Sequence, residues 1–102
     1  MSAIDVLVIL EIDGLEDKDR FENWVRKDSF KKLEDEEFAY TSSSTTTIIT
    51  TKTYILASFK RALKKAGFKD AKIIFLLNEI AYPPYIFDHD TDDFELEKVQ
   101  KS

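Results

Sequence analysis

The chain has 102 residues, with 15 Lys and Arg against 20 Asp and Glu, one His and a net charge of −5. That length suits a single domain burying roughly 65% of its unfolded surface, and 43% hydrophobic with 13% aromatic residues excludes wholesale disorder. The absence of Cys excludes disulfides, thiolate metal sites and Cys nucleophiles, and two glycines, Gly14 and Gly67, are too few for a glycine-rich phosphate loop.

The first residues, Met-Ser-Ala-Ile-Asp, lack a positive n-region, and the apolar run Val6–Leu10 is bracketed by Asp5 and Glu11. The run is too short to span a bilayer and wrongly flanked for a signal peptide, so the expectation is a cytoplasmic protein without a membrane partner.

Ile4–Ile12 (IDVLVILEI) is rich in β-branched residues and apolar on both alternating faces from Val6 to Leu10, which predicts a central strand covered at least partly on both sides. Gly14 breaks it. Asp17 or Asp19 then caps a helix running to about Asp28, with Phe21, Trp24 and Val25 on its buried face. Glu37–Ser42 alternates apolar and polar residues, with Phe38 and Tyr40 on one face, and reads as an edge strand. Residues 41–47 (TSSSTTT) are low in complexity and carry no Gly, Asn or Pro turn signal, which leaves a hairpin tip or a mobile loop.

Thr46–Thr53 has strong β propensity and is expected as a third strand with a Thr-lined, open face. A second helix is predicted from about Tyr54 to Ala66, with Thr53 as N-cap. Its apolar stripe is Ile55, Leu56, Phe59, Ala62, Leu63 and Ala66, and Gly67 and Phe68 supply a Schellman-type end. Ala71–Leu77 (AKIIFLL) reads as another buried strand. Pro83 and Pro84 forbid a central strand in the segment 78–87 but allow an extended one. The order β-α-β-β-α-β is that of an α+β, ferredoxin-like fold: an antiparallel sheet with two helices on one face and a C-terminal extension. Residues 1–87 form the expected domain, and 88–102 an acidic tail, frayed or briefly helical.

The charge is unevenly spread. Residues 1–51 carry −6, residues 52–72 carry +6 and residues 73–102 carry −5. Lys60, Arg61, Lys64 and Lys65 fall on one side of the second helix and Lys69 extends the patch, together with Lys72. Such a face can hold RNA or DNA phosphates, or simply face water and pair with the acidic tail. Glu11 and Asp13 end the first strand. As hard oxygen ligands they suit Mg²⁺; Asp13 and Glu11 are the candidate catalytic carboxylates of a nuclease and Asp13 its candidate metal ligand, Asp17 and Asp19 being accounted for by capping. Asp88, Asp90 and Asp92 imitate the start of a calcium loop, but Asp93 replaces its Gly and Val99 its final Glu. His89 stands alone, so no His-based dyad with a second His or a Cys exists. Tyr82, Tyr85 and Phe87 are candidate partner contacts in an aromatic, Pro-stiffened segment, which equally suits covering the chain's own core.

A strand ending in acidic residues (LEID, Leu10–Asp13), followed by helix, hairpin, helix and a last strand with an extension, resembles the small ferredoxin-like ribonucleases that include CRISPR-associated integration subunits and GhoS-type antitoxins. The resemblance covers roughly residues 4–87 as topology, and Asp13 is the counterpart of that group's carboxylate. It implies metal-dependent RNA cleavage or assembly on nucleic acid.

Three functions follow as expectations. The first is a non-catalytic interaction or regulatory domain acting as a homodimer, without a cofactor. The second is a Mg²⁺-dependent endoribonuclease or nucleic-acid binder. The third is a phage or mobile-element inhibitor that occupies a host protein.

Overall fold

The computed structural model describes residues 3–97. Nine elements follow one another: β1 (Ile4–Asp13), α1 (Lys18–Lys27), β2 (Lys31–Lys32), β3 (Ala39–Ser44), α2 (Ile48–Ala66), β4 (Asp70–Leu77), β5 (Ile80–Ala81), β6 (Tyr85–Asp88) and β7 (Asp93–Leu96). They form an α+β molecule with a seven-stranded antiparallel sheet, in the order β2-β3-β1-β4-β6-β7 with β5 also on β4.

The long ladder between β1 and β4 runs from Val6–Leu77 to Asp13–Asp70. Its side chains alternate strictly, as the two-residue period of a strand requires. Ile4, Val6, Val8 and Leu10 of β1, with Ala71, Ile73, Phe75 and Leu77 of β4, are buried in one core. Phe21 and Val25 of α1 and Ile55, Phe59, Ala62, Leu63 and Ala66 of α2 complete that core, so both helices lie on one face of the sheet. Phe21, Phe30, Tyr40 and Phe59 fill its centre with tilted and edge-on ring contacts, Phe30 and Phe59 being 4.8 Å apart.

No helix covers the opposite face. The sequence led us to expect at least partial cover on both sides of β1, because Leu7 and Ile9 are apolar; in the fold Leu7 is half-buried by its neighbours on that face and Ile9 remains 38% exposed. α1 begins and ends near the predicted positions. Asp17 is its N-cap, accepting the Arg20 N–H at 3.0 Å, and Asp28 its C-cap.

Two expectations are overturned. Thr46–Thr53 is not a strand. Thr47 caps α2, its hydroxyl accepting the Thr50 N–H at 3.1 Å, and the helix continues unbroken from Ile48. The Thr51 hydroxyl donates to the Thr47 carbonyl at 2.8 Å and meets the Ser44 hydroxyl at 2.7 Å, so buried threonine polarity is satisfied locally. Thr53, expected as the cap, lies within the helix. Residues 41–44 belong to β3 rather than to a hairpin tip, and the strand preceding β3 is the short β2. The Thr-lined open sheet face therefore does not exist.

The second correction concerns the C-terminal part. Residues 88–97 are neither frayed nor helical: β6 and β7 form a hairpin, and Phe87 (4% exposed) and Phe94 (6%) enter the core from it. Residues 98–102 of the expected tail lie outside the described residues.

Pro83 and Pro84 are accommodated by a bulge. Ile80 and Ala81 pair with Leu77 and Leu76, whereas Tyr85 and Ile86 pair with Ile73 and Lys72. One extra residue therefore lies on the proline side, where missing N–H donors do no harm. Asn78 and Glu79, both with positive φ (52° and 69°), make the two-residue turn before it. Gly67 ends α2 at φ 86° and ψ 128°, its N–H donating to the Leu63 carbonyl; glycine stands where it was expected, but the bond is an ordinary i−4 one rather than a Schellman-type closure. Gly14 has φ 71°, and a Cβ there would lie 2.7 Å from the Lys69 Cβ, so the loop after β1 needs glycine twice over.

Two consequences are measurable. The Ser58 hydroxyl is buried without a hydrogen-bond partner, so Ser58→Ala should raise stability by about 1 kcal/mol in urea unfolding. The Tyr40 hydroxyl, buried and donating to Glu22 at 3.2 Å, is held protonated far above the ordinary tyrosine range, first by burial and then by the Glu22 charge. A raised folded pKa means stability that is complete below the unfolded value of about 10 and is lost as pH rises above it. Tyr40→Phe should cost about 1 kcal/mol near pH 8 and show a shallower loss of stability above about pH 10.

Candidate functional site

The basic face of α2 is where the sequence places it, but it is not free. Lys60 pairs with Asp93 at 3.6 Å, Lys64 with Asp92, and Arg61 with Asp28 at 2.7 Å. Lys72 pairs with Glu97 at 3.5 Å. Lys65 instead lies 5.5 Å from the Trp24 ring centre, with Lys27 at 4.9 Å and Arg61 at 5.8 Å around the same indole. Lys69 contributes its carbonyl, which faces the His89 Nε2 at 2.6 Å. Four of the seven cations of the +6 segment are thus answered by carboxylates, three of the C-terminal segment and one of the α1 C-cap. The face thus pairs in part with the acidic C-terminal segment, through solvent-exposed contacts.

Glu11 and Asp13 occupy the uncovered face at one end of β1. Across the ladder, Glu11 stands opposite Lys72 and Asp13 opposite Asp70. Together these four line a shallow depression of about 330 Å³ with Ile86 at its edge. Asp70 also lies 3.5 Å from His89. Among the described residues no three Asp, Glu or His side chains converge as a metal-binding group. Three exposed carboxylates spread over two strands without converging, with a lysine among them, are a poor fit to the several oxygen ligands that Mg²⁺ requires.

The calcium-loop imitation dissolves similarly. The Asp88 carboxylate accepts the Asp90 N–H at 2.8 Å, while Asp92 points to Lys64. Val99, at the loop's last position, lies outside the described residues.

Tyr82 and Tyr85 stack on Phe75 with centroids 5.8 and 5.9 Å away, and Phe87 meets Phe68 edge-on at 4.9 Å. The aromatic segment covers its own core. Phe87 is buried and offers nothing to a partner in the folded chain, whereas Tyr82 and Tyr85 stay half-buried.

What the sequence reading missed is the sheet's other face. Leu7 lies opposite Leu76, and Ile9 opposite Ile74, on adjacent rungs of β1 and β4. Ala39 and Thr41 of β3 flank the block on one side. Leu7, Leu33, Thr41 and Leu76, with Asp5 and Glu79, line a depression of about 640 Å³, and Ile86 (39% exposed) extends the apolar surface beyond Lys72. The signal was present in IDVLVILEI and AKIIFLL, which are apolar on both faces although only one face is buried by the chain itself. No helix among the described residues is long and apolar enough to cross a membrane.

The chain matches no protein-family model, no curated protein and no solved structure.

The hydrogen bond from Lys64 holds the Asp92 carboxyl below the usual aspartate range, with the Lys64 and Lys60 charges acting in the same direction. A lowered folded pKa means stability present above the unfolded value of about 3.9 and lost as pH falls through the folded one. Asp92→Asn should therefore flatten the acid limb of a thermal-stability profile below about pH 4, a small effect because both partners are exposed.

Proposed function

We propose that this protein is a non-catalytic interaction domain of ferredoxin-like topology that works through the uncovered face of its sheet. The strand order β2-β3-β1-β4, with α1 and α2 on one side, is the split β-α-β pattern, to which the β5–β7 segment adds an edge. The observation that carries the functional reading is the Leu7, Ile9, Ile74 and Leu76 block, aliphatic side chains on which no helix packs: Ile9 is exposed and the other three are half-buried by their neighbours in the sheet. Contiguous apolar surface on a small domain is costly to expose and commonly marks an interaction site. The basic residues that would serve nucleic acid are largely paired within the chain, which weighs against a phosphate-binding role for α2.

A second reading, Mg²⁺-dependent endoribonuclease, rests on Asp13 facing Asp70 across the β1–β4 ladder. Purified protein incubated with single-stranded and structured RNA separates the two. No cleavage with or without Mg²⁺ is expected, and Mg²⁺-dependent cleavage abolished by Asp13→Asn would replace the interaction reading. For the interaction reading itself, a photo-crosslinking amino acid at position 9 or 74 should capture a protein in the native cell, while the same probe at Lys27 on α1 should not. Equal labelling from both surfaces would reject the sheet face as the binding site.

A further inference from the structure

Resting on the sheet-face reading, we infer that the occupant of this face is a basic amphipathic helix of another protein rather than a second copy of this chain.

The argument begins with the charges around the apolar block. Ladder register puts Asp5, Glu11, Asp13, Asp70 and Glu95 on the uncovered face, and Glu79 lines its depression. Against these six carboxylates the same face carries Lys31 and Lys72, and Lys72 is already held by Glu97 at 3.5 Å. The acidic groups are not mixed among the aliphatic ones. Asp5 and Glu79 bound the block at one end of the strands, and Glu11, Asp13 and Asp70 bound it at the other.

A second copy meets this pattern badly. Two such faces packed in the usual aligned manner lay one apolar block on the other, but they also bring acidic ends against acidic ends. Like charges juxtaposed at an interface weaken association and slow the encounter. Two lysines on a face cannot answer six carboxylates.

The spacing fits a helix. Asp5 and Glu11 are six residues apart on one strand, about 20 Å at 3.3 Å per residue. A helix about 10–12 Å across, laid over the strands, fills the aliphatic band between them. Lysine or arginine side chains flanking its apolar stripe reach the carboxylates on both sides. From β3 across β1 and β4 to β5 is about 14 Å at 4.8 Å per strand, which accommodates some nine or ten helical residues. Such a helix supplies an apolar stripe and cations on both borders, the two properties this face selects.

The test uses the full chain, labelled with ¹⁵N, and two synthetic amphipathic helices of about 18 residues with identical leucine stripes, one bordered by lysine and the other by glutamate. The lysine peptide should shift the amides of Leu7, Ile9, Ile74 and Leu76, and should bind more weakly at about 0.5 M than at about 0.1 M salt. The double substitution Ile9→Ser with Ile74→Ser, which keeps every charge, should weaken it by about tenfold or more. Asp5→Asn with Glu11→Gln should weaken it less and reduce the salt dependence.

Equal binding of the glutamate peptide at these residues would overturn the basic-partner inference and leave the sheet-face reading standing. Concentration-dependent dimerisation that broadens the same four amides would replace the helix with a second copy. Shifts scattered over acidic residues and indifferent to the serine substitutions would overturn the inference as mere charge attraction. Binding of neither peptide, with no dimer, would overturn both the inference and the reading on which it rests.

Discussion

The ladder between β1 and β4 is the constraint from which the rest of the molecule follows. It places two strands that are apolar on both faces side by side, Val8 beside Phe75 on one side of the sheet and Ile9 beside Ile74 on the other. A two-residue period admits no compromise: whichever side receives the helices, the other side keeps its aliphatic residues. α1 and α2 take the side bearing Val8 and Phe75, because Phe21 and Phe59 come from helices joined to β1 and β4 by short loops. The binding surface proposed above is the remainder of that choice. It was created by the same residues that make the centre of the sheet.

Seen this way, the uneven charge distribution acquires a spatial meaning. The positive middle of the chain is chiefly α2, and the acidic C-terminal segment returns as the β6–β7 hairpin to lie beside it, Asp92 and Asp93 reaching Lys64 and Lys60. Exposed pairs of this kind contribute little stability individually. Their larger effect is on what the surface offers. Lys60, Arg61 and Lys64 on the helix side are engaged internally, while the carboxylates of the uncovered sheet face mostly are not.

Much of this was legible in the sequence, and the failures share a physical cause. β1, α1, β4 and the Gly67 end of α2 were readable because their apolar residues repeat at the period of the element and their caps are conventional. The first turns of α2 were not. Its buried stripe runs through Thr51, Ile55, Ser58, Phe59, Ala62, Leu63 and Ala66, a regular helical spacing whose polar members hide its start. Thr51 enters the interior only because Ser44 and the Thr47 carbonyl satisfy it, a circumstance no local pattern reveals. The β6–β7 hairpin was obscured similarly, since Phe94 is a single buried side chain in an acidic run. Among the proposed site residues, Glu11 and Asp13 proved accessible and Phe87 did not, because side-chain type signals affinity for an interior without saying whose interior it is.

The two outer strands of the sheet have a further consequence. At one rim stands β2, consisting of Lys31 and Lys32; at the other stands β7, bearing Asp93 and Glu95. Rims of opposite sign are attractive to each other, and a lysine rim on one molecule could in principle add to the acidic rim of the next. A head-to-tail contact of that kind does not close on itself and would propagate into fibres. Charge therefore gives this sheet no protection against polymerisation. Length does: with only two residues, β2 offers a neighbour too few backbone hydrogen bonds to hold it, so the shortness of this rim strand works against such growth.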